Sequence, residues 1–134
     1  MVTVVGCTSA PEQSRSGSVL PPCGGLPNCV NSYSGTGSSA IAPLRATTAQ
    51  WQGLRRWLAQ QENWSITVET PRFLQAVVKT PLMQFRDDVQ LDFNPDAGEI
   101  QVRSSSRLGI SDMGANRARV EKLRAQLASE KIAP

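Results

Sequence analysis

The chain is 134 residues long, enough for one domain with a hydrophobic core and a tail. Its apolar content of 40% and charged content of 19% are those of an ordinary globular protein, and no apolar run reaches the ~20 residues that span a membrane. Histidine is absent, which excludes Ser-His-Asp and Cys-His catalysis, imidazole general bases and the commonest zinc ligand.

The net charge of +3 is unevenly placed. Residues 1–100 carry seven basic and eight acidic side chains, whereas residues 101–134 carry seven basic and three acidic ones. A basic end invites a nucleic-acid reading. However, no Phe, Trp or Tyr follows Phe93, so this end has no aromatic platform for stacking bases, and no nucleic-acid partner is expected.

At the N-terminus, Val4-Val5-Gly6-Cys7 resembles a bacterial lipobox, in which the cysteine is lipidated and becomes the mature terminus. A signal peptide needs a basic start and an apolar stretch of ~7–15 residues. Only five residues precede Gly6, so either the true start lies upstream of Met1 or the match is accidental. Residues 8–22 are rich in Ser, Pro, Gly and Gln and read as a flexible spacer. The expected division is a tether over 1–21, with Cys7 as lipid site, and one globular domain over 22–134. Cys23 and Cys29 remain, separated by two glycines and a proline that suit a tight closed loop, and a structural disulfide is the expectation. A redox pair is the weaker reading, because the spacing is not Cys-x-x-Cys and no basic residue lies near.

The body opens after a Gly/Ser-rich loop, at the apolar anchor Ile41 to Leu44. A helix is expected from Thr47 or Thr48 through Glu62, burying Trp51, Leu54 and Leu58. Trp64, Ile66 and Val68 alternate with polar residues as a first strand. Phe73 to Thr80 makes a second, with Leu74, Ala76 and Val78 on one side. Pro81-Leu82-Met83 is an apolar excursion, either a contact patch or a bulge packed under a helix. Phe85, Val89, Leu91 and Phe93 alternate as a third strand, residues 94–98 are turn chemistry, and Glu99 to Ser104 returns as a fourth. A last helix from Ser111 or Asp112 to about Lys131 buries Met113, Val120, Leu123 and Leu127. Short connections imply antiparallel pairing, so the predicted fold class is α+β: an antiparallel sheet of about four strands with two main helices packed on one face.

The stretch Arg103 to Arg119 is the candidate functional segment. Arg103, Arg107 and Arg117 flank a helix start whose first N–H groups lack intrahelical partners, a geometry suited to anions. Ser105, Ser111 and Asp112 supply hydroxyls and a carboxylate. The two-residue strand period turns Asp87 toward the apolar set and Asp88 away from it. A core-side carboxylate needs a partner, and an arginine of residues 103–117 is the natural one. Asn116 shares the apolar stripe of the last helix, so Asp87, Arg107, Asn116 and Arg117 are expected to form one polar cluster. If the arginines are structural, Asp87→Asn and Arg107→Ala should each cost on the order of 3 kcal/mol or more and combine non-additively. If they serve a ligand, Arg107→Ala should leave stability nearly unchanged.

Three motifs carry a family resemblance. They are Cys-x-x-x-x-Pro-Asn-Cys-Val-x-Ser (Cys23 to Ser32), Phe-x-Asp-Asp-Val (Phe85 to Val89) and the long run from Val102 to Glu121. The chain resembles the domain-of-unknown-function family 1499 over roughly residues 22–128. That family is found in bacteria, cyanobacteria and plastids, often behind a signal or lipobox, so the resemblance implies an extracytoplasmic place in periplasm or thylakoid lumen. It implies no activity.

Two functions are therefore carried forward. The first is a non-enzymatic, lipid-anchored module that supports or assembles an envelope or thylakoid membrane protein complex, touching the membrane surface through Cys7. The second is a binding protein, less readily an enzyme, for an acidic small molecule held on the Arg/Ser-rich loop and helix N-terminus. No catalytic residue, cofactor or metal is predicted. Dinucleotide and P-loop spacings are missing, and the calcium-like Asp92, Asn94, Asp96 and Glu99 sit on a five-residue turn that does not fit a twelve-residue ligand loop.

Overall fold

Two apolar residues in every four, placed alternately, give the chain its longest strands, and in the computed structural model these build one antiparallel sheet. The structure describes residues 20–109 and 111–129. Cys7 and most of the expected tether lie outside the described residues, and the last helix ends at Ala128, with Ser129 already extended, short of the expected Lys131. In chain order the elements are β1 (Cys29–Asn31), β2 (Leu44–Arg45), α1 (Thr48–Ala59), β3 (Trp64–Thr70), β4 (Phe73–Lys79), β5 (Arg86–Asn94), β6 (Glu99–Ser106) and α2 (Ala115–Ala128). The class is α+β, as expected, but the sheet has six strands rather than four.

Strands β3 to β6 form a meander in which each pairs with the next, and β1 and β2 share the free edge of β6. The two added strands are short, three and two residues, and their pairing is non-local: Val30 faces Ser104 and Leu44 faces Ile100. Nothing in their own few residues marks them as strands. Cys23 and Cys29 are bonded to each other, with Cα atoms 5.7 Å apart, which fastens the residues before β1 to the sheet edge.

One face of the sheet carries Leu74, Ala76, Val78, Val89, Leu91, Phe93, Ile100 and Val102, and both helices pack there. Helix α1 starts at a capping box in which Thr47 accepts from the Gln50 N–H and the Gln50 side chain accepts from the Thr47 N–H. It ends at Ala59 instead of Glu62, and buries Trp51, Leu54 and Leu58 as its periodicity requires. Trp51 stacks on Phe93 at 5.3 Å between ring centroids and donates its indole N–H to the Pro71 carbonyl. Helix α2 buries Asn116, Val120, Leu123 and Leu127.

Several local expectations change. A β-bulge between Ile66 and Val68 sets Val68 opposite Gln75, on the helix-free face, and brings Glu69 to the helix side, where Arg55 pairs with it at 2.9 Å. Phe85 lies in the loop before β5 and is exposed. The last helix begins at Ala115, not Ser111 or Asp112, because Met113 and Gly114 both take left-handed backbone conformations. Met113 is consequently thrown out into solvent instead of being buried. Leu20 is buried, so the folded part starts slightly before residue 22.

Candidate functional site

The candidate segment divides between the two faces of the sheet. On the helix side, the end of β6 meets the start of α2. Asp112 accepts from the Gly114 N–H at 2.8 Å and the Asn116 N–H at 3.2 Å, and so caps the helix with its own carboxylate. Burial alone would raise the Asp112 carboxyl, but bonds from the Asn116 side chain and these backbone N–H groups outweigh it and hold the carboxyl below the usual range. Ser111 contributes one bond, accepting from the Met113 N–H at 3.2 Å.

Asn116 is the hub. It is fully buried, and its Nδ2 lies within reach of Asp112 Oδ2 (2.7 Å), Ser106 Oγ (2.9 Å) and the Asn28 carbonyl (3.1 Å). Its Oδ1 accepts from Ser104 Oγ at 2.6 Å and from Arg119 Nη1 at 2.8 Å. Arg119 in turn stands 2.8 Å from Asp87, whose side chain points to the core side as the strand period requires. Burial pushes the Asp87 carboxyl above its ordinary value. The Arg119 charge at 2.8 Å pulls the other way without overcoming it, and neither Asp87 oxygen completes a well-aligned hydrogen bond. The partner of Asp87 is thus Arg119, two residues beyond the expected 103–117 window.

Arg107 and Arg103 belong to the opposite, helix-free face. Arg107 grips Asp88 with two bonds of 2.9 Å, Nε to Oδ2 and Nη2 to Oδ1, a bidentate pair with both partners largely buried. Arg103 donates to Ser105 Oγ at 3.0 Å, to Gln90 Oε1 at 3.3 Å and to the Pro22 carbonyl at 3.3 Å. Burial lowers the Arg103 pKa, and the Asp88 charge opposes that. Arg117 joins neither group. It donates to the carbonyls of Ser38 (2.9 Å) and Ala40 (2.6 Å) and so straps α2 to the loop before β2.

The single cluster of Asp87, Arg107, Asn116 and Arg117 is therefore corrected to three separate arrangements. The reason is the alternation of the strand: Asp87 and Asp88 are neighbours in sequence, and the sheet stands between them. Sequence reasoning missed Arg119, Ser104, Ser106 and Gln90. Arg119 had a signal, since it lies three residues after Asn116 on the same helix face. The serines had none, because a hydroxyl at the end of a strand has no preferred partner until α2 arrives.

As a chemical site, the helix N-terminus already holds a carboxylate of its own. A hollow of about 230 Å³ beside it is lined by Ser38, Ser111, Asp112 and Arg117 among others. There the Asp112 charge opposes a second anion. Among the described residues no group of three or more Cys, Asp or Glu side chains is arranged to hold a metal ion. No helix among them is long and apolar enough to cross a membrane.

No curated protein matches the chain. A family model does, over residues 19–127, which takes in the whole sheet, the disulfide, all three polar arrangements and nearly all of α2. The chain belongs to the family described as "Protein of unknown function (DUF1499)".

Proposed function

We propose that this protein is a non-enzymatic, extracytoplasmic module, held at a membrane through Cys7, that supports or assembles an envelope or thylakoid membrane protein complex. The observation that carries this reading is the use of the arginine segment. Arg103, Arg107, Arg117 and Arg119 are each engaged by groups of the same chain, as expected of a segment that stiffens a binding domain. The Cys23–Cys29 bond supports the compartment, because such bridges persist where the surroundings oxidise. An acidic small molecule on the loop is the lesser reading, since Asp112 occupies the helix start that would receive it.

Gentle solubilisation of membranes followed by affinity capture of the full protein tests the proposal. Co-purification of a defined membrane complex, lost on Cys7→Ser, is the expected result. Recovery of a free monomer from the soluble fraction would overturn it.

A further inference from the structure

Among the described residues, six of the seven exposed large hydrophobic side chains gather at one end of the sheet. Leu26 precedes β1, Leu82, Met83 and Phe85 occupy the β4–β5 connection, and Leu108 and Met113 lie between β6 and α2. Strand register puts these loops side by side: Lys79 faces Arg86, Asp87 faces Ser106, and Ser105 faces Cys29. Leu82 is 90% exposed and Met113 94%. The β4–β5 loop is not slack. Thr80 N–H donates to the Phe85 carbonyl, Gln84 N–H to the Thr80 carbonyl and Phe85 N–H to Thr80 Oγ1, at 2.8, 3.0 and 2.9 Å. Gln84 takes a left-handed conformation to close it. The loop thus holds Leu82 and Met83 outward, away from the core. A gathering of apolar side chains kept in water marks a contact surface.

The charges beside it say what kind of surface it meets. Lys79 and Arg86 are directly opposed on neighbouring strands, an arrangement that repels. Neither makes an ion pair among the described residues. With Arg107, just past the end of β6, they line a concavity of about 540 Å³ on the helix-free face, next to Pro81. Glu62 is the acidic residue in that lining. Two opposed cations bordering projecting apolar tips are complementary to a layer of phosphates over hydrocarbon. A free phosphate would use the cations and leave the tips unexplained.

We propose that this end of the sheet docks on an anionic phospholipid bilayer, with Leu82, Met83 and Phe85 entering the interface and Lys79 and Arg86 meeting lipid phosphates. The inference deepens the membrane reading above and rests on it for the presence of a bilayer. It asks more, namely that the folded domain itself has affinity for lipid without any covalent anchor.

The test uses the full 134-residue chain without lipid attached, sedimented with vesicles of phosphatidylcholine containing about one third phosphatidylglycerol, or of phosphatidylcholine alone. Binding is expected to the anionic vesicles and to weaken with added salt. Lys79→Ala with Arg86→Ala should lower partitioning about fivefold for each charge. Leu82→Asp with Met83→Asp should lower it on the order of tenfold or more. All four side chains are exposed, so thermal melts should stay within about 2 °C and separate lost docking from lost folding. Arg45→Ala, at the far end of the sheet, should bind normally. Equal binding to both vesicle types, or insensitivity to either pair of substitutions, would overturn the proposal. So would saturation by inorganic phosphate alone, or self-association of the chain through Leu82 and Met83 in place of lipid binding. If the unlipidated chain ignores vesicles while the native protein fractionates with membranes, the docking inference falls and the tether reading stands.

Discussion

Asp87 and Asp88 have the same side chain, adjacent places in one strand and nearly the same low exposure, yet they sit on opposite faces of the sheet. On the helix side, Asp87 closes a network of Arg119, Asn116 and Ser104 at the rim of an apolar core. On the other side, Asp88 is clasped by Arg107 within a row of polar residues that includes Gln75, Gln90, Asp92 and Arg103. A core that excludes water makes a carboxylate expensive, and the Asp87 carboxyl is raised accordingly. A bidentate guanidinium supplies both directions and charge at once, and Asp88 has one. What differs between the two faces is the partner that tertiary packing delivers.

The comparison breaks most readily at Arg107. Arg107→Ala strands the buried Asp88 charge and should cost about 3–5 kcal/mol in denaturant unfolding. Asp88→Ala should cost a similar amount, and the double variant should fall far short of their sum. Simple additivity would show that the pair is not coupled. The strong coupling expected between Asp87 and Arg107 moves to Asp88, because the sheet separates Asp87 from that arginine.

On the helix side Asn116→Ala should cost about 2–3 kcal/mol, since it leaves Ser104, Arg119 and Asp112 with unmet hydrogen-bonding groups. Asp87→Asn should cost clearly less than that at neutral pH. It removes a charge that burial already disfavours, and Arg119 keeps its bonds to Ser104 and Asn116. A loss as large as that of Arg107→Ala would erase the contrast between the faces.

Asp92 sharpens the contrast within the polar face. Burial pushes its carboxyl up to about 6, with the Arg72 charge opposing. Because the folded pKa lies above the unfolded value of 3.8, ionisation favours the unfolded state as pH rises from 3.8 to about 6, and the penalty persists above that. Asp92→Asn should therefore stabilise the protein at pH 7 by on the order of 1 kcal/mol after allowance for solvent screening. The gain should vanish below about pH 4 in thermal melts, where Asp92 is protonated in both states. The smallest effect belongs to the exposed Arg45–Glu99 pair at 2.8 Å, far from both arrangements. Breaking it with Glu99→Gln should change stability by about 0.5 kcal/mol or less, measured at low and high salt.

Amino-acid pattern alone determined the α+β class, the four long strands, the stripe of α1 at Trp51, Leu54 and Leu58, and the opposite aims of Asp87 and Asp88. Each follows from a period of about 3.6 or 2 residues, which is a local property. The Cys23–Cys29 pairing was equally legible, since six residues of separation leave little choice of partner. Tertiary structure decided the rest. The three- and two-residue strands β1 and β2 exist only because the edge of β6 has free N–H and C=O groups to pair. The bulge after Ile66, the delayed start of α2 and the exposure of Met113 follow from backbone turns whose residues have no Gly-Pro or Asn-Gly signature. The choice of arginine for each aspartate was non-local as well. Any guanidinium within reach satisfies a carboxylate chemically, and only the thickness of the sheet keeps Arg107 from Asp87 and leaves it to Arg119.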